Sequence, residues 1–146
     1  MAAGLSMEEK NVELFRRRLN DNCTLTEQDL IPKIMIDVPM PISYLSKKLT
    51  EQLKVLEPFG KGNSKPLFAQ KNLRAVGIRV LGRNRNVAKM LLIDENGIKM
   101  DAVYFGEAQE FVDFVQAHDT ISVTYYPEIN VFQGRENLQV VIKNYC

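Results

Sequence analysis

In five stretches between Leu73 and Lys143, apolar residues recur at every second position, and this period of two constrains the fold more than any other feature of the chain. Only an extended strand puts alternate side chains on one face, so the segment reads as sheet. The first strand, Leu73 to Gly82, sets Val76, Ile78 and Val80 on one face and Gly77 and Arg79 on the other. A glycine in mid-strand suggests a bulge or sharp bend. A second strand, Val87 to Asp94, meets a third, Ile98 to Phe105, through Asn96-Gly97, a hairpin dipeptide of the kind in which both turn residues take positive φ. Residues Glu107 to Ala117 follow as a short helix with Phe111, Phe114 and Val115 apolar. The fourth strand, Thr120 to Ile129, alternates Ile121, Val123 and Tyr125 against Ser122, Thr124 and Tyr126. A loop containing Gln133-Gly134-Arg135 leads to the fifth, Leu138 to Lys143, with Leu138, Val140 and Ile142 facing one way.

Three strands, one helix and two strands is the order of the OB-fold, a five-stranded, partly open barrel. An open five-stranded α+β sheet has the same order. The bent first strand favours the barrel, because that strand must serve two parts of a closed sheet. The expected class is therefore α+β, a mainly β five-stranded OB-fold preceded by a helical partial domain.

The helical text runs to about Leu56. Ser6 and Glu9 have capping-box spacing, and Val12, Phe15 and Leu19 then recur at helical intervals until Asn20-Asp21-Asn22. Lys33 to Asp37 reads as a short extended piece closed by Pro39 and Pro41, and Ser43 to Leu56 as a second helix with Leu45, Leu49, Leu53 and Leu56 on one stripe. Two helices and one short strand make a poor core alone, so this part must lean on something else. Pro58-Phe59-Gly60-Lys61-Gly62-Asn63 then punctuates the chain. A lone Gly-x-Gly after a helix and before strands is weak evidence for a phosphate loop and reads better as a structured joint. The expected divisions are residues 1–57, a joint at 58–72, and the barrel at 73–146.

Charge is distributed unevenly. From Pro58 to Ile93 there are eight basic residues (Lys61, Lys65, Lys71, Arg74, Arg79, Arg83, Arg85, Lys89) and no acid. The chain totals are 19 basic and 18 acidic, so the remainder holds 11 against 18. A single-sign block within a near-neutral chain focuses a positive field on one surface, and a polyanion is its commonest partner. A solvated, solubilising face is the plain alternative.

Residues for chemistry are few. His118 is the only histidine and lies in a turn before Asp119, where a surface or capping role suits it better than metal binding or general-base work. Asp94, Glu95 and Asp101 gather near the hairpin but lack the further ligands of a metal cage, and hairpin acids commonly satisfy turn N–H groups. Cys23 and Cys146 have neither metal-ligand spacing nor a disulfide framework, which fits a reduced, cytoplasmic chain. No apolar run approaches membrane-spanning length, and no secretory leader follows Met1. No catalytic residue and no metal site is expected here.

A binding surface is better supported. OB-folds lay oligonucleotides across strands two and three, between the loops that follow strands one and four. The first of these loops is Gly82-Arg83-Asn84-Arg85-Asn86, with Arg74 and Arg79 before it and Lys89 after it. The second is Asn130-Val131-Phe132-Gln133-Gly134-Arg135. Lys99, Val103 and Phe105 share a face of strand three. Cations that track phosphates, interleaved with aromatics on which bases stack, are what a single-strand site requires. Barrel or rim packing is the other role open to Phe105 and Phe132.

Leu56-Glu57-Pro58-Phe59-Gly60-Lys61-Gly62-Asn63, followed by Pro66-Leu67-Phe68, resembles the signature of the RecJ family of single-stranded-DNA-specific 5′-to-3′ exonucleases. Ala2-Ala3-Gly4-Leu5-Ser6 is similar to the stretch after the Gly-Gly-His motif of that family's DHHA1 domain. Asp101-Ala102-Val103 with Phe105-Gly106, and the Asn130-x-Phe132-x-Gly134 loop, resemble its OB domain, where many relatives carry tryptophan in place of Phe132. The resemblance implies the end of DHHA1, a connecting helix and the OB domain of a larger nuclease acting in DNA repair and recombination. Under it, this chain is a C-terminal fragment whose Met1 is native or added. Hydrolysis and its divalent metal, Mn or Mg, belong to the parent's absent DHH domain, and the fragment itself needs no cofactor. The implied partners are single-stranded DNA, that DHH domain, and replication or repair proteins, with no membrane. A protein-docking OB module with no nucleic-acid contact is the rival reading.

Overall fold

One long strand, Phe68–Leu81 (β2), organises the sheet in the computed structural model, which describes residues 4–146. Its first half pairs antiparallel with Ile121–Phe132 (β5), and its second half with Val87–Ile93 (β3). Lys99–Phe105 (β4) pairs with β3, and Arg135–Tyr145 (β6) runs parallel to β4 and antiparallel to β5. The circuit β2-β3-β4-β6-β5-β2 is closed, so the open-sheet alternative does not hold. Closure removes the free edges that an open sheet would expose.

Strand β2 starts five residues before the expected Leu73, and two irregularities let it serve both partners. The register shifts between Gln70 and Leu73, beside Asn72 at φ 58°, and again between Val76 and Arg79, beside Gly77 at φ 64°. The second shift corrects the expected faces. The extra residue puts Val76, 39% exposed, on the outer face with Arg79, while Ile78 and Val80 pack on the core. A bulge of this kind reverses the simple alternation on which the sequence reading relied.

The β3–β4 hairpin also differs from expectation. Only Gly97 takes positive φ (78°), and the Asp94 carboxylate accepts from the N–H groups of Asn96 and Ile98 at 2.9 and 2.8 Å. The acid organises a longer turn, as such side chains do. By contrast, Gln133 and Gly134 both take positive φ (50° and 74°), the signature of a two-residue hairpin turn. The segment expected as a loop from Asn130 to Arg135 is therefore a continuous arm of β5 and β6, closed by the pair Phe132 and Arg135.

Two helical plugs close the core. Ala108–Gln116 (α3) buries Ala108, Phe111 and Val115, and Phe111 and Phe114 pack on Tyr145 at the end of β6. His118 caps this helix, its Nδ1 lying 2.8 Å from the Phe114 carbonyl oxygen and its ring stacked on Phe114. At the other end of β6, Lys47 pairs with Glu136 at 3.3 Å. Lys47 opens Lys47–Leu53 (α2), and Ser46 caps it by accepting from the Leu49 N–H. The expected single helix from Ser43 to Leu56 is instead three short pieces, with 3-10 turns at Ile42–Tyr44 and Lys54–Leu56. Ile42 and Leu45 are buried in the core, and Leu49 and Leu53 pack against it, whereas Leu56 is exposed. The Tyr125 hydroxyl donates to the Met40 carbonyl at 2.6 Å, and burial pushes its pKa well above the usual phenol range.

The compact units part between Ile34 and Met35, so the second helical stretch and the joint belong to the barrel unit. A short strand, Val38–Pro39 (β1), pairs parallel with the start of β2, just beyond the extended piece expected over Lys33–Asp37. Residues 4–34 carry Val12–Asp21 (α1), entered through a 3-10 turn whose N-cap, Glu8, makes no side-chain cap. The expected Ser6–Glu9 capping box is thus not formed. The reciprocal box occurs later, between Thr26 and Asp29. Met1, Ala2 and Ala3, part of the N-terminal resemblance, lie outside the described residues.

Candidate nucleic-acid interface

The pairing register defines the outer face of the barrel rung by rung. Ala88, Met90, Leu92, Met100 and Ala102 point into the core, so their neighbours in β3 and β4 point outward. One rung reads Arg79, Lys89, Val103, Val141 and Tyr126 across β2, β3, β4, β6 and β5. The next reads Val76, Leu91, Asp101, Gln139 and Glu128. Beyond it stand Arg74, Ile93 and Lys99, and on the other side Leu81, Val87 and Phe105. A groove of about 330 Å³ lies on β2, β3 and β4, lined by Val76, Arg79, Leu81, Lys89, Leu91 and Asp101 among others.

The cations of this face are free. Among the described residues, none of Arg74, Arg79, Arg83, Arg85, Lys89, Lys99 and Arg135 lies within 4 Å of a carboxylate. Arg85 is tethered instead by donating to Gln109 Oε1 at 3.3 Å, and Gln109 in turn donates to Asp113. Phe105 is 59% exposed, which excludes a core role, and Phe132 is 64% exposed on the arm. Val103 is buried although its backbone register is outward.

The register also separates residues that the sequence reading grouped. Arg83 and Arg85 sit in the β2–β3 turn, beyond the Leu81–Phe105 rung, while Arg135 and Phe132 close the far arm. From Val141 to Arg135 is about 20 Å at roughly 3.4 Å per residue. The two loops therefore bracket the face from opposite ends. Asp101, expected with the hairpin acids, lies two rungs of alternation away from the turn, in the groove. Asp94 uses its Oδ1 on both turn N–H groups while its Oδ2 is buried without a hydrogen-bond partner among the described residues, and Glu95 accepts from Asn72 at 2.7 Å. Among the described residues, no three His, Cys, Asp or Glu side chains gather closely enough to hold a metal ion.

Sequence reasoning missed Tyr126 as a landmark. Phe59 meets its ring edge-on at 6.1 Å, and the Lys65 ammonium lies 4.6 Å from the Tyr126 centroid and 5.6 Å from that of Phe59. Burial first, then Glu57 and Glu128, raise the Tyr126 pKa. Its alternation against Tyr125 was visible in the sequence, but a partner 61 positions upstream, and the burial of the ring, were not. The joint itself is a tight turn in which Gly60 and Asn63 exchange backbone hydrogen bonds of 2.8 and 3.1 Å. The Asn63 amide donates to the Leu56 and Pro58 carbonyls at 2.8 and 3.0 Å, and Gly62 takes φ 87°. Pro58, Phe59, Gly60, Gly62 and Asn63 thus have structural partners or backbone duties within the joint.

A closed five-stranded barrel in this order, with a helix between its third and fourth strands, is an OB-fold. The chain belongs to the RecJ OB domain family, whose model matches residues 36–144. It is 30% identical over 146 residues to the single-stranded-DNA-specific exonuclease RecJ of Bacillus subtilis, covering 99% of this chain and 18% of that protein. The RecJ of Escherichia coli is 28% identical over 150 residues, covering 99% and 25%. The crystal structure of Thermus thermophilus RecJ with Mn2+ superposes with a TM-score of 0.66 at 19% identity, over 97% of this chain and 20% of that one. The Mg2+ complex gives 0.64 at 18% identity, over 96% and 21%. The chain spans only about a fifth to a quarter of the proteins it matches. Among the described residues, no helix is long and apolar enough to cross a membrane.

Proposed function

We propose that this chain is the single-stranded-DNA-binding part of a RecJ-type 5′-to-3′ exonuclease, holding the strand on the outer face of its barrel. The observation that carries this reading is the pair of cationic rungs, Arg79 with Lys89 and Arg74 with Lys99, flanking an open groove without carboxylate partners. Phosphates would be held by these residues with Arg83, Arg85 and Arg135, and bases would stack on Phe105 and Phe132. Backbone contacts and stacking tolerate any base order, which suits a domain that follows single strands.

Hydrolysis is assigned to the rest of the parent chain, with Mn or Mg held there, and its setting to cytoplasmic DNA repair and recombination. The helical residues upstream of 36 are read as the end of the DHHA1 domain. The parent's DHH domain is the expected neighbour, with replication or repair proteins as further partners.

Fluorescence anisotropy of labelled oligo-dT across a salt series tests the reading. Three to five phosphate contacts give a slope of log affinity against log salt of roughly −2 to −3.5, at ~0.7 per contact on a single strand. Arg83→Ala with Arg85→Ala should flatten it by ~1.4. No binding at low salt, or a slope of zero, would replace this reading with the protein-docking module.

A further inference from the structure

The groove contains one residue that a phosphate-binding face has no use for. Asp101 stands in the rung between the two cationic rungs, with Leu91 beside it on β3 and Gln139 on β6. Asp101 is half-buried, lines the groove with Arg79 and Lys89, and makes no ion pair within 4 Å among the described residues. The register explains this. Lys89 lies diagonal to Asp101 on β3, Lys99 stands two residues back along β4 itself, and the residue directly across on β3, Leu91, is apolar. Toward a passing phosphate, an unneutralised carboxylate is repulsive. The groove floor near it, Val76 and Leu91, is apolar and suits the flat face of a base.

We propose that Asp101 reads the base that lies across this middle rung, accepting a hydrogen bond from an exocyclic amine. The inference rests on the DNA-binding reading above. With the flanking rungs holding phosphates, the base between them turns its edge along the rung toward β4. A carboxylate is an acceptor only, so it pairs with the exocyclic amine of cytosine, adenine or guanine, whereas thymine has no such amine and offers only a ring N3–H set between two repelling carbonyls. The face would therefore track any strand, yet dwell on amine-bearing bases at one position.

Competition between oligo-dC and oligo-dT of equal length, both pyrimidine and of similar size, measures this on the intact chain. Wild type should favour oligo-dC by roughly threefold to tenfold, as expected for one hydrogen bond to a charged acceptor at a wet site. Asp101→Asn should tighten oligo-dT binding, because the repulsion is gone, and reduce the preference below about twofold. Asp101→Leu, which can neither donate nor accept, should abolish the preference as well. Thermal melts of each variant check that the barrel is intact, and if one fails to fold the other decides. If wild type binds both strands and the ratio is unchanged in the folded variants, the base-reading role is wrong while DNA binding stands. If wild type binds neither strand, the binding reading itself falls, and this inference with it.

Discussion

Arg79 and Lys89 stand directly opposite each other on β2 and β3, both exposed on the outer face of the barrel and neither paired with an acid. Like charges placed across a strand pair destabilise the sheet by roughly 0.2–1 kcal/mol. Lys89→Thr should therefore stabilise the free protein by about that amount at low salt while weakening its hold on single-stranded DNA. Urea melts with and without added salt check the first half, since screening should erase the gain. Equal stabilities at both ionic strengths would mean the two charges do not feel each other.

Phe132 tests stacking apart from charge. Phe132→Ala should cost ~1–3 kcal/mol of DNA binding if a base stacks there, with the salt slope unchanged. Because the side chain is exposed at the end of the arm, the melting temperature should hardly move. Anisotropy titrations at two salt concentrations separate the outcomes.

At the joint, the two glycines should behave differently. Gly62 takes φ 87°, so Gly62→Val forces a β-branched residue into the left-handed region at a cost of ~1–3 kcal/mol. Gly60 does not share that conformation, and a Cβ there meets open space, so Gly60→Ala should stay within about 0.5 kcal/mol. Chemical denaturation of the single variants provides the comparison.

Tyr125→Phe should cost ~1–3 kcal/mol, because the half-buried Met40 carbonyl loses its donor. The loss should appear in denaturant midpoints, with the m-value unchanged.

A pH effect is expected in the N-terminal unit. Hydrogen bonds from the Thr26 backbone N–H and then from its hydroxyl lower the Asp29 pKa below 3.8. A depressed folded-state pKa gives stabilisation that is present above 3.8 and is lost as pH falls through the lower, folded value. The Thr26 amide signal followed by NMR below pH 4 should shift with that titration, and Asp29→Asn should remove the dependence.

The strand order, the bend at Gly77 and the shared face of Lys99, Val103 and Phe105 were legible from the sequence, since each depends on local period or a single backbone requirement, but which way Phe105 turned was not. The position of Val76 was not, because one extra residue in the bulge inverts every alternation before it. The arm was misread because Asn130, Gln133 and Gly134 look like loop composition, whereas only Gln133 and Gly134 turn. The sequence also could not place Lys65 over Tyr126 or Asp101 amid the basic rungs. Both depend on which strands become neighbours after the barrel closes.

Strand β2 also sets an order of events during synthesis. Its second half finds β3 within twenty residues, but Phe68 must wait for Tyr125. A chain emerged only as far as Gln116 can form a three-stranded meander, yet half of β2 still lacks its ladder. Until the ribosome has released β5, the groove can exist as a surface with no barrel behind it, and nascent chains should remain open to protease around Gln70 up to that point.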